Sequence, residues 1–281
     1  MKTGIYPGCS LNGSARDYNE SVFALAELFG LKLEQVPDWN CCGATAAHNL
    51  NKKLSLALPA RILALAEKNG MDELIVPCAA CYSRLVVTQH ELKSDPELRN
   101  TISEAIEMDY RGTIKILNVI EWIDKYIMPV IGEKKVKDFS HKVACYYGCL
   151  LVRPNRILKY DRAEDPQTMD NAMTRLGATC IDFPFKTECC GAGLSISRTD
   201  VVSRLSGNII EDAEQRGAEA IIVACPMCHS NLDMRRPDIN RYKGRDLNIP
   251  VLFITQAIGL AAGLSPKKIG LKRHFVEVKI S

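Results

Sequence analysis

Ten of the chain's 12 cysteines fall into two matching sets of five, and no other feature restricts the fold as strongly. The first set is Cys9, the adjacent pair Cys41-Cys42 followed by Gly43, and Cys78-Ala-Ala-Cys81. The second repeats it as Cys149, Cys189-Cys190-Gly191 and Cys225-Pro-Met-Cys228. The gaps correspond, with 31 and 35 residues between the elements of the first set and 39 and 34 in the second. Scattered core cysteines do not recur in this way, so the chain reads as a duplication that builds a redox metal protein. At 281 residues, each half is long enough to close its own core of roughly 100–150 residues. The lysine-containing stretch 129–140 around Gly132 marks the expected boundary, giving domains 1–138 and 139–281.

Short apolar runs alternate with helical periodicity throughout. Strands are expected at 3–7, 31–36 and 72–76, then again at 142–145, 179–183 and 220–224. Helices are expected at 14–29, 54–68, 84–92, 102–109 and 119–127, and in the second half at 169–176 and 201–215. The most apolar tract, 249–264, reads as a buried strand and helix rather than a membrane span, because it is short and interrupted by Thr255 and Gln256. The pattern predicts an α/β fold of two pseudo-repeated cysteine-rich domains with mostly parallel sheets. The cysteines then stand in loops at the strand carboxyl ends, near the domain interface, where such sheets place ligands.

A net charge of +3 with dispersed basic residues gives no case for a nucleic-acid surface. The start of the chain lacks an apolar signal region, which predicts a cytoplasmic protein. In that reducing compartment, 12 cysteines argue for metal or sulfur chemistry over structural disulfides. A lone Cys-x-x-Cys leaves zinc and thiol exchange open. Five thiols exceed the four ligands of a mononuclear zinc site, and soft sulfur donors favour iron–sulfur centres. A redox thiol array without permanent metal, and zinc in one half, remain the competing readings.

Tyr6-Pro-Gly-Cys9, Cys41-Cys42-Gly43 and Cys78-Ala-Ala-Cys81, with Tyr147-Gly-Cys149, Cys189-Cys190-Gly191 and Cys225-Pro-Met-Cys228, carry a resemblance over nearly the whole chain. The sequence resembles the B subunit of heterodisulfide reductase, of the family with duplicated cysteine-rich CCG domains. That resemblance implies a noncubane [4Fe-4S] cluster in each domain, one held by Cys9, Cys41, Cys42, Cys78 and Cys81, the other by Cys149, Cys189, Cys190, Cys225 and Cys228. It implies that these ten cysteines act catalytically through the clusters. The implied reaction is reduction of a disulfide, characteristically the coenzyme M–coenzyme B heterodisulfide of methanogenesis, to two thiols. The implied partners are a small iron–sulfur electron-transfer subunit and a flavin-containing subunit, with a hydrogenase or formate dehydrogenase upstream, in a cytoplasmic flavin-based electron-bifurcation complex. A GxGxxG-type dinucleotide fingerprint is not evident in the chain itself. The alternatives are a CCG-domain electron-transfer subunit serving a quinone or another acceptor, and a noncatalytic metal-stabilised scaffold subunit.

His48 and His229 follow cysteine motifs and have the residue type for proton transfer, although packing or hydrogen bonding to the site is the plainer role. Lys186, Arg153 and Arg198 offer charge to an anionic substrate, against ordinary ion pairing. Cys145 and Cys180 lie outside the two sets and are read as structural, and Met227 as packing. Trp39 and Trp122 are expected in the core or at an interface rather than as nucleic-acid stacking platforms. Lys267, Lys268, Lys272 and Arg273 are expected to form a solvated basic face.

Overall fold

β1 (Thr3–Ile5), β2 (Glu34–Gln35), β3 (Glu73–Val76) and β4 (Lys115–Asn118) form the first sheet of the computed structural model, which describes residues 2–280. The second half contributes β5 (Lys142–Tyr146), β6 (Thr179–Cys180), β7 (Ala220–Val223) and β8 (Val251–Phe253). All pairings are parallel, and the orders β2-β1-β3-β4 and β6-β5-β7-β8 are the same arrangement twice. The duplication seen in the cysteines therefore extends to topology. β3 (Glu-Leu-Ile-Val) and β7 (Ala-Ile-Ile-Val) are buried at every position, as a parallel strand covered by helices on both faces requires.

Three local differences from the sequence expectation have physical causes. Lys115–Asn118 is an edge strand that periodicity does not reveal, because four residues are too few to separate a strand from the helical turn beginning at Val119. β6 stops at Cys180 instead of running to Phe183; Ile181 N–H still reaches the Val143 carbonyl at 2.9 Å, but Pro184 follows and cannot donate to a ladder. Both Cys-x-x-Cys segments are themselves helix starts. Cys78 caps the Ala79–Ser94 helix and Cys225 caps the Pro226–Leu232 helix, the latter with proline at its first position.

The two halves pack through the Arg16–Leu28 helix of the first and the Ile254–Ala261 helix of the second. Ser21 and Thr255 share a 2.6 Å hydroxyl–hydroxyl hydrogen bond there. Tyr18 stacks on Phe253 with centroids 3.9 Å apart. The sequence suggested two separate cores, whereas the buried apolar residues of both halves form one continuous cluster, because these facing helices are apolar toward each other. Trp122 is buried within it and Trp39 packs at its edge, edge-on to Tyr6. The apolar tract 249–264 divides into β8 and the Ile254–Ala261 helix. Among the described residues no helix is long and apolar enough to cross a membrane.

Glu73 opens β3 almost fully buried, with Lys125 Nζ and Tyr126 Oη each at 2.5 Å and Lys115 Nζ at 3.4 Å. Burial alone would raise its pKa, but hydrogen bonds from Lys125 and Tyr126 and the two lysine charges bring it below the ordinary 4.5. A depressed folded pKa gives stability that is fully present above the unfolded value and is lost as pH falls through the folded one. Glu73→Gln is therefore expected to flatten the acid limb of the stability–pH curve below about pH 4.5, measured by denaturant midpoints. An unchanged acid limb contradicts this assignment.

Candidate metal centre

Each set of five cysteines is assembled from the same three places in its half. A single cysteine follows the first strand, on the short Gly8–Asn12 helix for Cys9 and in a turn for Cys149. The double cysteine lies in the loop beyond β2 or β6, and the Cys-x-x-Cys pair wraps the helix start after β3 or β7. Helical geometry brings the cap and third position of such a pair to one side, beside unpaired backbone N–H groups that favour a thiolate.

Gly43 and Gly191 take left-handed φ angles of 73° and 82°, which glycine adopts at little cost. In these turns their N–H groups reach back to Cys41 Sγ at 3.4 Å and Cys189 Sγ at 3.3 Å. Cys42 Sγ lies 3.2 Å from Cys81 Sγ, and Cys190 Sγ 3.7 Å from Cys228 Sγ. Hydrogen bonds from Cys41 and Cys81 hold the Cys42 thiol far below the usual range, at about 3. A hydrogen bond from Cys149 lowers Cys189 to about 6. Cys225 is lowered by bonds from Cys228 and from Cys78, so the two sets meet directly at the first thiols of their Cys-x-x-Cys pairs.

All ten set cysteines line one cavity of about 180 Å³ between the halves. Ser10, Ala44, Thr45, Leu150 and Met227 complete much of the wall, and none of the described lining residues is Asp, Glu, Lys, Arg or His. The second double-cysteine loop is held by Ser206 Oγ and Asn231 Nδ2, each donating to the Cys190 carbonyl at 3.1 Å.

Sequence reasoning missed the role of the two tyrosines that stand three residues before the first cysteine of each set. Tyr6 donates to the Asn40 carbonyl at 2.9 Å and Tyr146 to the Glu188 carbonyl at 2.7 Å. Each carbonyl immediately precedes a double cysteine, so each tyrosine clamps that loop to the end of the first strand. The recurrence of Tyr at Tyr6 and Tyr146 was the available signal.

The other candidates lie elsewhere. His229 does not line the cavity; its Nε2 pairs with the Val251 carbonyl at 3.1 Å, and burial lowers its pKa to about 4. The side chain of His48 lies outside the described residues. Lys186 is buried against Asp170 at 2.9 Å and Asp165 at 3.2 Å, Arg153 pairs with Glu164 and Arg198 with Asp200. Met227 does reach the cavity wall, and Ser10 Oγ approaches its sulfur at 3.9 Å. Arg273 and Lys268 pair with Glu20 and Glu27 of the Arg16–Leu28 helix, so part of the basic tail is docked rather than merely solvated. Two further groups bring ligand-type atoms within 4.8 Å of one another, Asp17–His229–His274 and Cys145–Asp170–Cys180. In the second of these the Cys145 and Cys180 sulfurs are 3.9 Å apart.

Fold and site together define a duplicated α/β protein of the cysteine-rich class, with candidate metal-ligand sets. The chain belongs to the cysteine-rich domain (CCG) family, which matches it at residues 3–86 and 143–233, and it is homologous to the B subunits of heterodisulfide reductases and proteins like them. The B subunit of the ferredoxin/F(420)H(2)-dependent CoB-CoM heterodisulfide reductase of Methanosarcina acetivorans is 30% identical, over 98% of this chain and 94% of the relative. The 8-methylmenaquinol:fumarate reductase membrane anchor subunit of Wolinella succinogenes is 28% identical, over 97% and 96%. A solved structure of a hypothetical protein from Helicobacter pylori superposes with a TM-score of 0.83 at 18% identity; it covers all of this chain, which spans 53% of that one, and shows the shared fold.

Proposed function

We propose that the chain is the iron–sulfur catalytic subunit of a disulfide reductase, with domains 1–138 and 139–281 each holding one noncubane [4Fe-4S] cluster through its set of five cysteines. The convergence of both complete sets on one cavity carries this reading. The donor set fits such a group. It is all sulfur, five donors in each half, and backbone N–H groups already face two of the sulfurs. The cradle also demands glycine: a Cβ on Gly148 would stand 3.0 Å from Cys228 Sγ, at a φ of 69°.

When bound, the two clusters, held by the two cysteine sets, would supply one-electron transfer and Lewis-acidic iron. The chain's own residues do the rest. Leu150, Ala44 and Met227 supply apolar wall to the space between the sets. Ser10 and Thr45 present hydroxyls at the wall and can pass protons, whereas the Tyr147 hydroxyl is committed to Asp170 at 2.7 Å. Reduction consumes the disulfide, two electrons and two protons and releases two thiols, one facing each half. The electrons come from partner subunits of a multisubunit complex, a small iron–sulfur protein and a flavin protein, with a hydrogenase or formate dehydrogenase upstream. The coenzyme M–coenzyme B heterodisulfide is the proposed substrate.

A second reading, electron transfer to a quinone, is favoured by the apolar Leu150, Met227 and Ala44 among the described residues of the cavity wall. Anaerobic assays with reduced viologen separate the two. Turnover of the heterodisulfide without turnover of a menaquinone analogue supports the reductase; the reverse result supports the quinone reading. Gly148→Ala tests the cradle, because the added methyl must displace the Cys228 sulfur or its own backbone. Iron bound by the second set is expected to fall while the first set stays loaded; full loading of both contradicts the arrangement.

A further inference from the structure

Behind the cysteine cavity, three chain segments remote in sequence bring ligand atoms together. Asp17 lies in the first turn of the Arg16–Leu28 helix, His229 follows Cys228, and His274 lies beyond the short Leu271–Arg273 turn. One ligand atom from each lies within 4.8 Å of the others. Asp17 and His229 are 4% and 5% exposed, and the His274 side chain is wholly enclosed.

The segment that carries His274 is fastened on both sides. Asp233 accepts from the Phe275 and Val276 N–H groups at 2.8 and 3.0 Å, and Arg273 forks onto Glu20. The histidine is thus delivered to a fixed place between the halves.

Its hydrogen bonding does not close. Gln256 is oriented by accepting from the Phe253 N–H at 2.9 Å and donating to the Ile269 carbonyl at 3.1 Å, and its amide nitrogen faces His274 Nε2 at 2.9 Å. The same Nε2 lies 3.3 Å from Asp17 Oδ2. If Nε2 accepts from Gln256 it has no proton for Asp17; if it carries the proton it opposes the amide. In either tautomer Nδ1 is buried without a partner. A buried carboxylate, an orphaned imidazole nitrogen and a second imidazole form a donor set suited to a cation. His229 supplies the usual orienting contact of a metal-binding histidine: with Nε2–H on the Val251 carbonyl, Nδ1 keeps its lone pair.

We infer that Asp17, His229 and His274 form a third, mononuclear site for a divalent cation of the zinc class, separate from the cysteine sets and fastening the C-terminal segment across both halves. Zinc fits because two imidazoles and a carboxylate are among its ordinary ligands and the role asks for no redox change.

The test uses the full chain, purified anaerobically with its iron–sulfur centres and supplied with zinc, beside His274→Ala. The expected result is about one zinc per chain in the wild type with a nitrogen/oxygen-only shell near 2.0–2.1 Å in zinc-edge X-ray absorption. His274→Ala loses that zinc and keeps its iron. Equal zinc in both proteins, or a sulfur shell at about 2.3 Å, overturns the inference. If the variant fails to fold, the wild type decides alone: zinc raises and a chelator lowers its unfolding midpoint with iron content constant, and a midpoint indifferent to both overturns the site.

Discussion

Cys190→Ser will leave the chain with about four of about eight irons and reduce disulfide turnover to background. Cys190 is 2% exposed, its sulfur lies 3.7 Å from Cys228, and its backbone is fixed by Ser206 and Asn231. A serine oxygen there is shorter and harder than sulfur, so it suits neither the distance nor the iron. The first set shares none of these ligands and should stay loaded. Cys42→Ser is the mirror experiment, emptying the first half and sparing the second. Turnover is lost in both, because each end of the cavity must receive one thiol. Iron and sulfide analysis with an activity assay reads the outcome, and a Cys190→Ser protein with full iron content contradicts the ligand assignment.

Tyr18→Ala will produce the largest loss of stability at the junction of the halves, about 3–5 kcal/mol for a buried aromatic. The ring is fully buried and lies flat on Phe253 with an interplanar angle of 3°. Its hydroxyl donates to the Ala224 carbonyl at 3.1 Å and lies 3.4 Å from the Pro77 carbonyl. These two residues immediately precede Cys225 and Cys78, so one side chain of the first half ties both Cys-x-x-Cys loops together. Tyr18→Phe keeps the stacking and removes only the hydroxyl, and should cost about 1–3 kcal/mol, the penalty of a buried group left unsatisfied. Anaerobic denaturant unfolding measures both. Equal midpoints for Tyr18→Phe and wild type would show that the hydroxyl does not hold the junction.

The parts legible in the sequence were those encoded by residue type at fixed spacing. Five cysteines repeated twice, with Gly43 and Gly191 placed to turn the chain back on its own sulfur, announced both the duplication and the soft-ligand chemistry. β3 and β7 could be read because they are short, apolar apart from Glu73, and end at proline or cysteine motifs. β4 could not, since Lys-Ile-Leu-Asn has too few residues to display a period. The helix starts at Cys78 and Cys225 were hidden because cysteine is a weak helix former and the first turn is set by the site. Contacts across the duplication were illegible for a different reason: the Ser21–Thr255 bond, Tyr18 over Phe253 and Asp17 beside His274 join residues more than 200 positions apart. Single-chain periodicity carries no information about such pairings.

Iron and acid-labile sulfide per anaerobically purified chain, read with electron paramagnetic resonance before and after adding the heterodisulfide, tests the central claim most directly. The account predicts about eight irons and about eight sulfides, with a paramagnetic signal that depends on the disulfide. Four irons, or zinc in the cysteine sets with no response to the disulfide, would contradict two catalytic clusters facing one cavity.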